Sequence, residues 1–147
     1  MKKVLAVASG GGHWVQLLRL RKSFEGQELA FMTTNAEYAS EVNEPLYVVK
    51  DANLNKKIGL IIMFIQVLWV LLRFRPDVIV TTGAAPGFAA IMIGKVFGAK
   101  TLWLDSIANG EELSAAGKKA HRWADEWLTQ WEHLEKEEGP SFKGRVL

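Results

Sequence analysis

Short apolar runs recur along this chain, and each is followed by glycine, polar residues or charged residues. Runs of this length and composition predict strands that are buried on both faces of a parallel sheet. The predicted strands are Val4–Ala8, Leu29–Thr33, Leu46–Val49, Asp77–Thr81, Thr101–Leu104 and Trp127–Trp131.

The stretches between these runs have helical patterns. From His13 to Phe24 the apolar residues recur at helical spacing with cations in the gaps, which predicts an amphipathic helix. Phe88–Phe97 and Glu111–Asp125 are predicted as further helices, and the polar Glu135–Leu147 as a surface tail or the beginning of a connection. Alternating strands and helices predict an α/β fold with a Rossmann-like parallel sheet and helices on both faces.

Ile58–Leu72 is an almost uninterrupted apolar segment. As a helix it would span about 22 Å at about 1.5 Å per residue, which is short of the roughly 30 Å core of a bilayer. Cations lie on both sides of it and Trp69 lies inside, as in helices that rest at an anionic membrane surface. The alternative is a helix buried in the core or under a partner. The residues predicted to contact a membrane are Lys57, Ile61, Phe64, Trp69 and Arg73.

Composition limits the class of protein. The 147 residues suffice for one domain, 1–147, and their 49% hydrophobic content argues against disorder. A net charge of +2 gives no reason to expect a nucleic-acid partner. The absence of cysteine excludes disulfides and thiol catalysis. Two lysines before Val4–Ala8 imitate a signal peptide, but the run is too short and glycines follow it.

A glycine-rich turn, Ser9-Gly10-Gly11-Gly12, separates the first predicted strand from the first helix. Glycines allow backbone amides to approach a ligand, and the start of a helix attracts anions. The turn therefore suits a diphosphate. A tight turn without a ligand is the alternative, with Ser9 only capping the helix.

Two common nucleotide signatures are absent. The dinucleotide pattern G-x-G-x-x-G fails because Val15 occupies the third glycine position, and Thr33 rather than an acidic residue ends the second predicted strand. No P-loop signature occurs. The sequence therefore argues against a nicotinamide-dependent oxidoreductase. Neither a cofactor nor a metal is expected.

His13 falls in the first turn of the predicted helix, at the mouth of the sheet. A histidine there is a candidate general base for a sugar hydroxyl. The alternative is a histidine that only hydrogen-bonds a loop carbonyl.

Two further polar loops should emerge at the same edge of the sheet as the glycine turn. Thr82 and Gly83 follow the fourth predicted strand, and Asp105, Ser106 and Asn109 follow the fifth. Asp105 is a candidate for holding a sugar hydroxyl or for orienting His13 or a lipid-linked acceptor, and helix capping or a salt bridge is its alternative. The predicted substrate-binding residues are Ser9, Gly10, Gly11, Gly12, Thr82, Gly83, Ser106 and Asn109.

Trp123, Trp127 and Trp131 recur at helical spacing. Packing is the ordinary explanation for such a row, and a platform for a sugar ring is the alternative.

An ordered set of short stretches resembles a known family. These stretches span nearly the whole chain: Ser9–His13 followed by Gln16-Leu17, Arg75–Ile79 with Thr82-Gly83, Asp105-Ser106, Ser114–Lys118, and Ala124-Asp125 leading to Gln130-Trp131. They are similar to the acceptor-side, membrane-anchoring subunit of the split UDP-N-acetylglucosamine transferase of asparagine-linked glycosylation. They are equally similar to its bacterial relatives in exopolysaccharide and capsule synthesis.

The resemblance implies the N-terminal half of a GT-B glycosyltransferase, as in the peptidoglycan lipid-intermediate N-acetylglucosaminyltransferase. That half would bind a polyprenyl-diphosphate-linked sugar acceptor, with the glycine turn facing the diphosphate. Because the chain ends where a second half would begin, the resemblance also implies a partner subunit that binds a UDP-sugar. The complex would be membrane-associated, on the cytoplasmic face. A non-catalytic membrane anchor for the partner is the alternative.

This sequence departs from the family pattern at three places. It lacks the N-terminal membrane helix of the eukaryotic subunit, for which Ile58–Leu72 would substitute. Asp105 replaces the usual glutamate before the serine, and Asn109 and Gly110 stand where an arginine is expected. These differences favour a bacterial polysaccharide role.

Overall fold

The computed structural model describes residues 1–53 and 55–146, which form a seven-stranded parallel sheet in the order β3-β2-β1-β4-β5-β6-β7. The sheet confirms the predicted Rossmann-like α/β class. Its strands are β1 Lys3–Val7, β2 Glu28–Thr33, β3 Leu46–Val48, β4 Val78–Thr81, β5 Lys100–Leu104, β6 Glu126–Thr129 and β7 Ser141–Phe142. Its helices are α1 Gly12–Arg19, α2 Lys57–Phe74, α3 Ala84–Val96 and α4 Ala115–Ala120.

Helices cover both faces of the sheet because the central strands bury side chains on each side. Val4 and Ala6 of β1 pack with Trp14 and Leu17 of α1. The alternate β1 residues Leu5 and Val7 belong to the opposite layer, which α2, α3 and Ala120 of α4 complete. Burial on both faces explains why these strands read as continuous apolar runs.

Two predicted helices are shorter in the structure. α1 ends at Arg19, and a 3₁₀ turn, Arg21–Phe24, replaces the rest of the predicted helix. Within Glu111–Asp125 only Ala115–Ala120 is helical, because the Ser114 side chain accepts a hydrogen bond from Gly117 N–H and begins the helix there. The pattern of polar residues in the sequence does not show which of them begins the helix.

Three other boundaries differ from the sequence prediction. α3 begins at Ala84, four residues before the predicted start, since Pro86 is tolerated in the first turn of a helix. β6 is Glu126–Thr129, and a 3₁₀ turn follows it. The predicted surface tail instead adds β7 to the sheet, where Ser141 pairs with Leu128 and Phe142 with Thr129.

α2 has one buried face and one exposed apolar face. Met63, Val67, Val70, Leu71 and Phe74 are buried. The residues that form the exposed row, hereafter the α2 outer face, are 41% to 78% exposed: Ile58, Ile61, Ile62, Ile65, Trp69 and Leu72. By length and composition α2 could cross a membrane. Because its inner face is part of the domain core, the helix lies against the sheet.

The residues predicted to contact a membrane divide between these faces. Ile61 and Trp69 belong to the α2 outer face, and Lys57 and Arg73 are exposed near the two ends of the helix. Phe64 instead packs, partly buried, against the core. Phe64 therefore lies between the buried face and the α2 outer face.

Candidate functional site

The candidate site lies where the strand order reverses, between the carboxyl ends of β1 and β4. After β1 the chain continues to β2 on one side, and after β4 it continues to β5 on the other. In open α/β sheets this switch point is where ligands bind. The glycine turn follows β1, and Thr82-Gly83 follows β4.

α1 begins at the glycine turn without a side-chain cap. Gly11 is its N-cap, with a positive φ of 67°, and Ser9 does not cap the helix. The backbone N–H of Gly11 donates to the Tyr38 hydroxyl at 3.0 Å. The amides of Gly12, His13 and Trp14 have no hydrogen-bond partner among the described residues. These amides and the helix dipole favour an anion at this end of α1.

α3 also begins without a side-chain cap, on the other side of the switch point. Its N-cap Gly83 has a φ of 128°, and Ala84 also has a positive φ, 72°. The Gly83 N–H donates to the Thr81 hydroxyl at 3.1 Å. Two helix N-termini therefore meet at one place, which concentrates positive potential there.

His13 joins the two helix starts. Its Nδ1 lies 2.8 Å from the carbonyl oxygen of Thr82, and the Thr82 hydroxyl donates to the His13 carbonyl at 2.6 Å. Because a carbonyl oxygen only accepts, Nδ1 carries the proton in this contact. The neutral ring then has its lone pair on Nε2, which has no partner among the described residues. The structure thus contains the loop-carbonyl hydrogen bond that is the alternative to a general-base role, and this bond leaves Nε2 able to accept a proton.

Asp105 is buried, and its carboxylate accepts hydrogen bonds from neighbouring protein groups. Its side chain is 2% exposed. Oδ1 accepts hydrogen bonds from the Trp103 indole at 3.0 Å and the Ser114 hydroxyl at 2.6 Å, and Oδ2 accepts from Ser114 N–H at 2.9 Å. None of these partners is His13. These contacts support the start of α4 and favour helix capping, the alternative to a catalytic role for Asp105.

A buried polar network lies beneath the loops after β5 and β6. Gln16 Nε2 donates to the Ser106 hydroxyl at 3.0 Å, and Gln16 Oε1 accepts from Ile107 N–H at 3.1 Å and Gln130 Nε2 at 2.6 Å. Ser106, predicted to bind substrate, is buried, and its hydroxyl accepts from Gln16 Nε2 and from Ala108 N–H at 3.2 Å. Sequence reasoning did not select Gln16 or Gln130 as site residues. One signal was present: Gln16 follows His13 by three residues and so shares its helix face.

The loop after β5 holds the remaining predicted residue. Asn109 N–H donates to the Ser106 carbonyl at 3.0 Å, and the Asn109 side chain is partly exposed at this edge. Gly110 lies against the Trp131 ring, whose indole N–H donates to the Ile107 carbonyl at 2.7 Å. Arg145 lies over the same ring at 4.6 Å. Trp131 therefore packs, as Trp123 and Trp127 do against the core.

Within residues 1–53 and 55–146, no group of acidic residues and histidines is arranged to hold a metal ion. The other histidines bond backbone carbonyls: His121 Nδ1 contacts Lys118 O, and His133 Nε2 contacts Gly110 O. His13 is thus the histidine that lies at the switch point.

Several solved structures share this fold. MurG of Acinetobacter baumannii matches 97% of this chain with a TM-score of 0.81 at 12% identity. The UDP-N-acetylglucosamine 2-epimerase of Rickettsia bellii matches 99% with a TM-score of 0.74 at 17% identity. A calicheamicin glycosyltransferase matches 78% with a TM-score of 0.57 at 15% identity. No protein-family profile and no curated protein sequence matches the chain.

These likenesses define the fold. The chain has the architecture of one Rossmann-like half of a GT-B protein, as the sequence resemblance implied. It spans 46% of the matched MurG chain, 45% of the epimerase and 34% of the calicheamicin enzyme. Identities below 20% establish the fold and not the activity.

Proposed function

We propose that this chain is the acceptor-binding half of a membrane-associated GT-B glycosyltransferase, and that a partner subunit binds the UDP-sugar. The acceptor is a polyprenyl-diphosphate-linked sugar, and the product is a polysaccharide or lipid-linked oligosaccharide. The observation that carries the proposal is the meeting of two uncapped helix N-termini around His13, whose Nε2 is left able to accept a proton.

The diphosphate of the acceptor is placed against the start of α1. The unpaired amides of Gly12, His13 and Trp14 donate to its oxygens, and the positive end of the helix stabilises its charge. Gly10, Gly11 and Gly12 add no side chain that would hold the anion away.

His13 acts as the general base in this proposal. Nε2 takes the proton of the acceptor hydroxyl as that oxygen attacks the anomeric carbon of the UDP-sugar. The bond from the anomeric carbon to the phosphate oxygen breaks, and UDP leaves with the electron pair, which inverts the configuration. Thr82 O holds the proton on Nδ1 and so keeps Nε2 in the accepting form.

The membrane part of the proposal rests on the α2 outer face. Its six large apolar side chains are exposed, and the exposed cations Lys56, Lys57, Arg73 and Arg75 lie near the ends of the helix. An apolar strip between cations suits the headgroup boundary of an anionic bilayer. α2 begins at the end of the sheet where the carboxyl ends of the strands lie. His13 lies at the same end. In this proposal the lipid chain stays in the membrane, and the diphosphate extends past the carboxyl ends of the strands to α1, which lies on the opposite face of the sheet from α2.

The first test is gentle detergent extraction of this chain from its native membranes, with mass spectrometry of co-purifying proteins. We expect a donor-binding GT-B half to accompany it. The pair should transfer sugar from a UDP-sugar to a polyprenyl-diphosphate-linked acceptor in vitro. Recovery of the chain alone from the soluble fraction would contradict both the partner and the membrane association.

The second test is His13→Ala in the purified pair. Loss of the base should lower kcat by about 10²- to 10⁴-fold while the complex stays intact. His121→Ala is the matched control, because His121 is exposed and bonds only Lys118 O through Nδ1. Transfer at the normal rate by His13→Ala would show that His13 is not the base. That result would favour the second candidate function, a non-catalytic membrane anchor, which needs only the α2 outer face.

A further inference from the structure

Two buried glutamine side chains connect the helix that carries His13 to the loops after β5 and β6. Gln16 is 2% exposed and Gln130 is fully buried. Gln16 reaches Ser106 and Ile107 in the first loop and Gln130 at the start of the second. Gln130 Nε2 also donates to the Asp105 carbonyl at 3.0 Å. One connected network therefore ties α1 to both loops.

The network continues to the last described residues of the chain. Gln130 Oε1 accepts from Val146 N–H at 3.0 Å, and the Gln130 carbonyl accepts from Arg145 Nε at 3.2 Å. Both amide protons and the side-chain oxygen of Gln130 are thus used. A buried network with its members satisfied specifies one arrangement of the segments it joins, since any other arrangement leaves polar groups unpaired.

Gln16 is the member of this network that lies on the same helix as His13. It lies three residues after His13, so the two side chains share one face of α1. α1 has no side-chain cap, and its own packing residues, Trp14 and Leu17, lie in the layer with β1 and β2. The bonds of Gln16 hold the helix on the side of β5 instead. Together these contacts fix the rotation of α1 about its axis, and with it the direction of the imidazole.

We infer that Gln16 and Gln130 are positioning residues that hold His13 against Thr82 and shape the loop from Ser106 to Gly110. The catalytic consequence rests on the proposed function, whereas the effect on the His13 ring does not. Neither glutamine touches the reacting atoms in this assignment. They act through α1, so the ring of His13 should respond to their removal even in the absence of substrate.

The decisive measurement is nuclear magnetic resonance of the histidine side chains in the full chain labelled with ¹⁵N-histidine. In the wild type, the neutral form of the His13 ring should show a single tautomer, protonated on Nδ1. Gln16→Leu removes the bonds to Ser106, Ile107 and Gln130 while keeping an apolar side chain of similar size. We expect the His13 signals to become a mixture of tautomers or to broaden by exchange.

The kinetic measurement uses the variant chain with its partner subunit. A misaligned base should lower kcat by about 10- to 100-fold, since a displacement near 1 Å can cost about that much. KM for the acceptor should change less than about threefold, because the amides at the start of α1 remain. Gln16→Glu keeps oxygen acceptors for Ile107 N–H and Gln130 Nε2, and the Ser106 hydroxyl can turn to donate. It should restore the single His13 tautomer.

Thr101→Val is the matched control for stability. Thr101 is buried at the other end of β5, where its hydroxyl donates to Trp123 O at 2.7 Å and accepts from Asp125 N–H at 3.0 Å. Its loss should destabilise the chain to a similar degree without altering the His13 signals. If Gln16→Leu does not fold, Ser106→Ala removes the hydroxyl that accepts from Gln16 Nε2 and from Ala108 N–H, and should produce the same spectral change in weaker form.

The outcomes separate the two ideas. An unchanged single His13 tautomer in the folded Gln16→Leu variant, or in Ser106→Ala where Gln16→Leu does not fold, would overturn the positioning role whatever the activity. A spectral change in a chain whose wild-type complex transfers no sugar would support the positioning role and contradict the proposed function.

Discussion

At the scale of single residues, the space beside Gly83 is filled by the His13 ring. A Cβ added to Gly83 would lie 2.9 Å from His13 Cε1 and 3.0 Å from Nδ1. The φ of 128° at Gly83 also belongs to backbone that residues with a side chain rarely adopt. A methyl group would therefore strain the turn and push the imidazole from Thr82.

We predict that Gly83→Ala lowers the free energy of unfolding by about 1–3 kcal/mol and also lowers kcat. Urea unfolding and the transfer assay measure the two effects. Gly98→Ala is the matched control, because Gly98 also has a positive φ, 87°, but has no atom within 4 Å of an added Cβ. Gly98→Ala should lose stability and keep kcat. Equal kcat losses in both variants would contradict the contact as the cause.

Asp125 joins two elements, the end of α3 and the start of β5. Its carboxylate forms an ion pair with Lys95 of α3 and accepts the backbone N–H of Thr101 at 2.9 Å. The hydrogen bond from Lys95 lowers the pKa of Asp125 below its usual value of 3.8, partial burial opposes this, and the Thr101 bond and the Lys95 charge lower the pKa further. The carboxylate therefore stabilises the folded chain in its ionised form.

We predict that Asp125→Asn lowers the free energy of unfolding at pH 7 by about 1–2 kcal/mol. Because the folded-state pKa is depressed, the wild-type advantage is present above the unfolded pKa and is lost as pH falls through the folded pKa, below 3.8. Urea unfolding of both chains from pH 7 to pH 3 should show the difference shrinking below about pH 4. Asp51→Asn, at an exposed position, should change little at any pH. A difference that stays constant with pH would exclude the ion pair as its source.

At the scale of the whole molecule, the α2 outer face sets the proposed orientation on a membrane. Because α2 runs back from the carboxyl edge of the sheet to the start of β4, this face extends along one side of the domain. Exposed cations near both ends would meet anionic headgroups while the isoleucines and Trp69 enter the boundary. The domain would then rest on the bilayer with α2 parallel to the surface.

We predict that Ile61→Glu combined with Ile65→Glu weakens binding to anionic lipid vesicles by about tenfold or more, since each change replaces a large apolar contact with a charge. Vesicle sedimentation at several salt concentrations measures this, and wild-type binding should fall as salt rises. Val15→Glu changes an exposed apolar residue on α1 and is the control. Binding unaffected by the double change would refute the α2 surface and point to another use of this helix.

The sequence by itself determined the class of the fold and the loops that form its edge. Apolar runs between helical stretches predicted the parallel sheet. A strand that is buried on both faces is apolar at every position and shows no alternation of apolar and polar residues. Glycines and polar residues directly after the first, fourth and fifth predicted strands identified the loops, since the carboxyl ends of parallel strands share one edge. His13 was predicted as a candidate in this way.

Only the tertiary structure decided what each polar side chain faces. Asp105 and Ser106 look like site residues from their place after a strand. In the folded chain Trp103 and Ser114 occupy the Asp105 carboxylate, and Gln16, ninety positions away, bonds the Ser106 hydroxyl. The partners of Gln16 lie about ninety to more than a hundred positions away in the chain, and no local pattern encodes such a distance. Pattern also left α2 ambiguous between a buried and a surface helix, because the sheet covers one side of an almost uniformly apolar segment and leaves the other exposed.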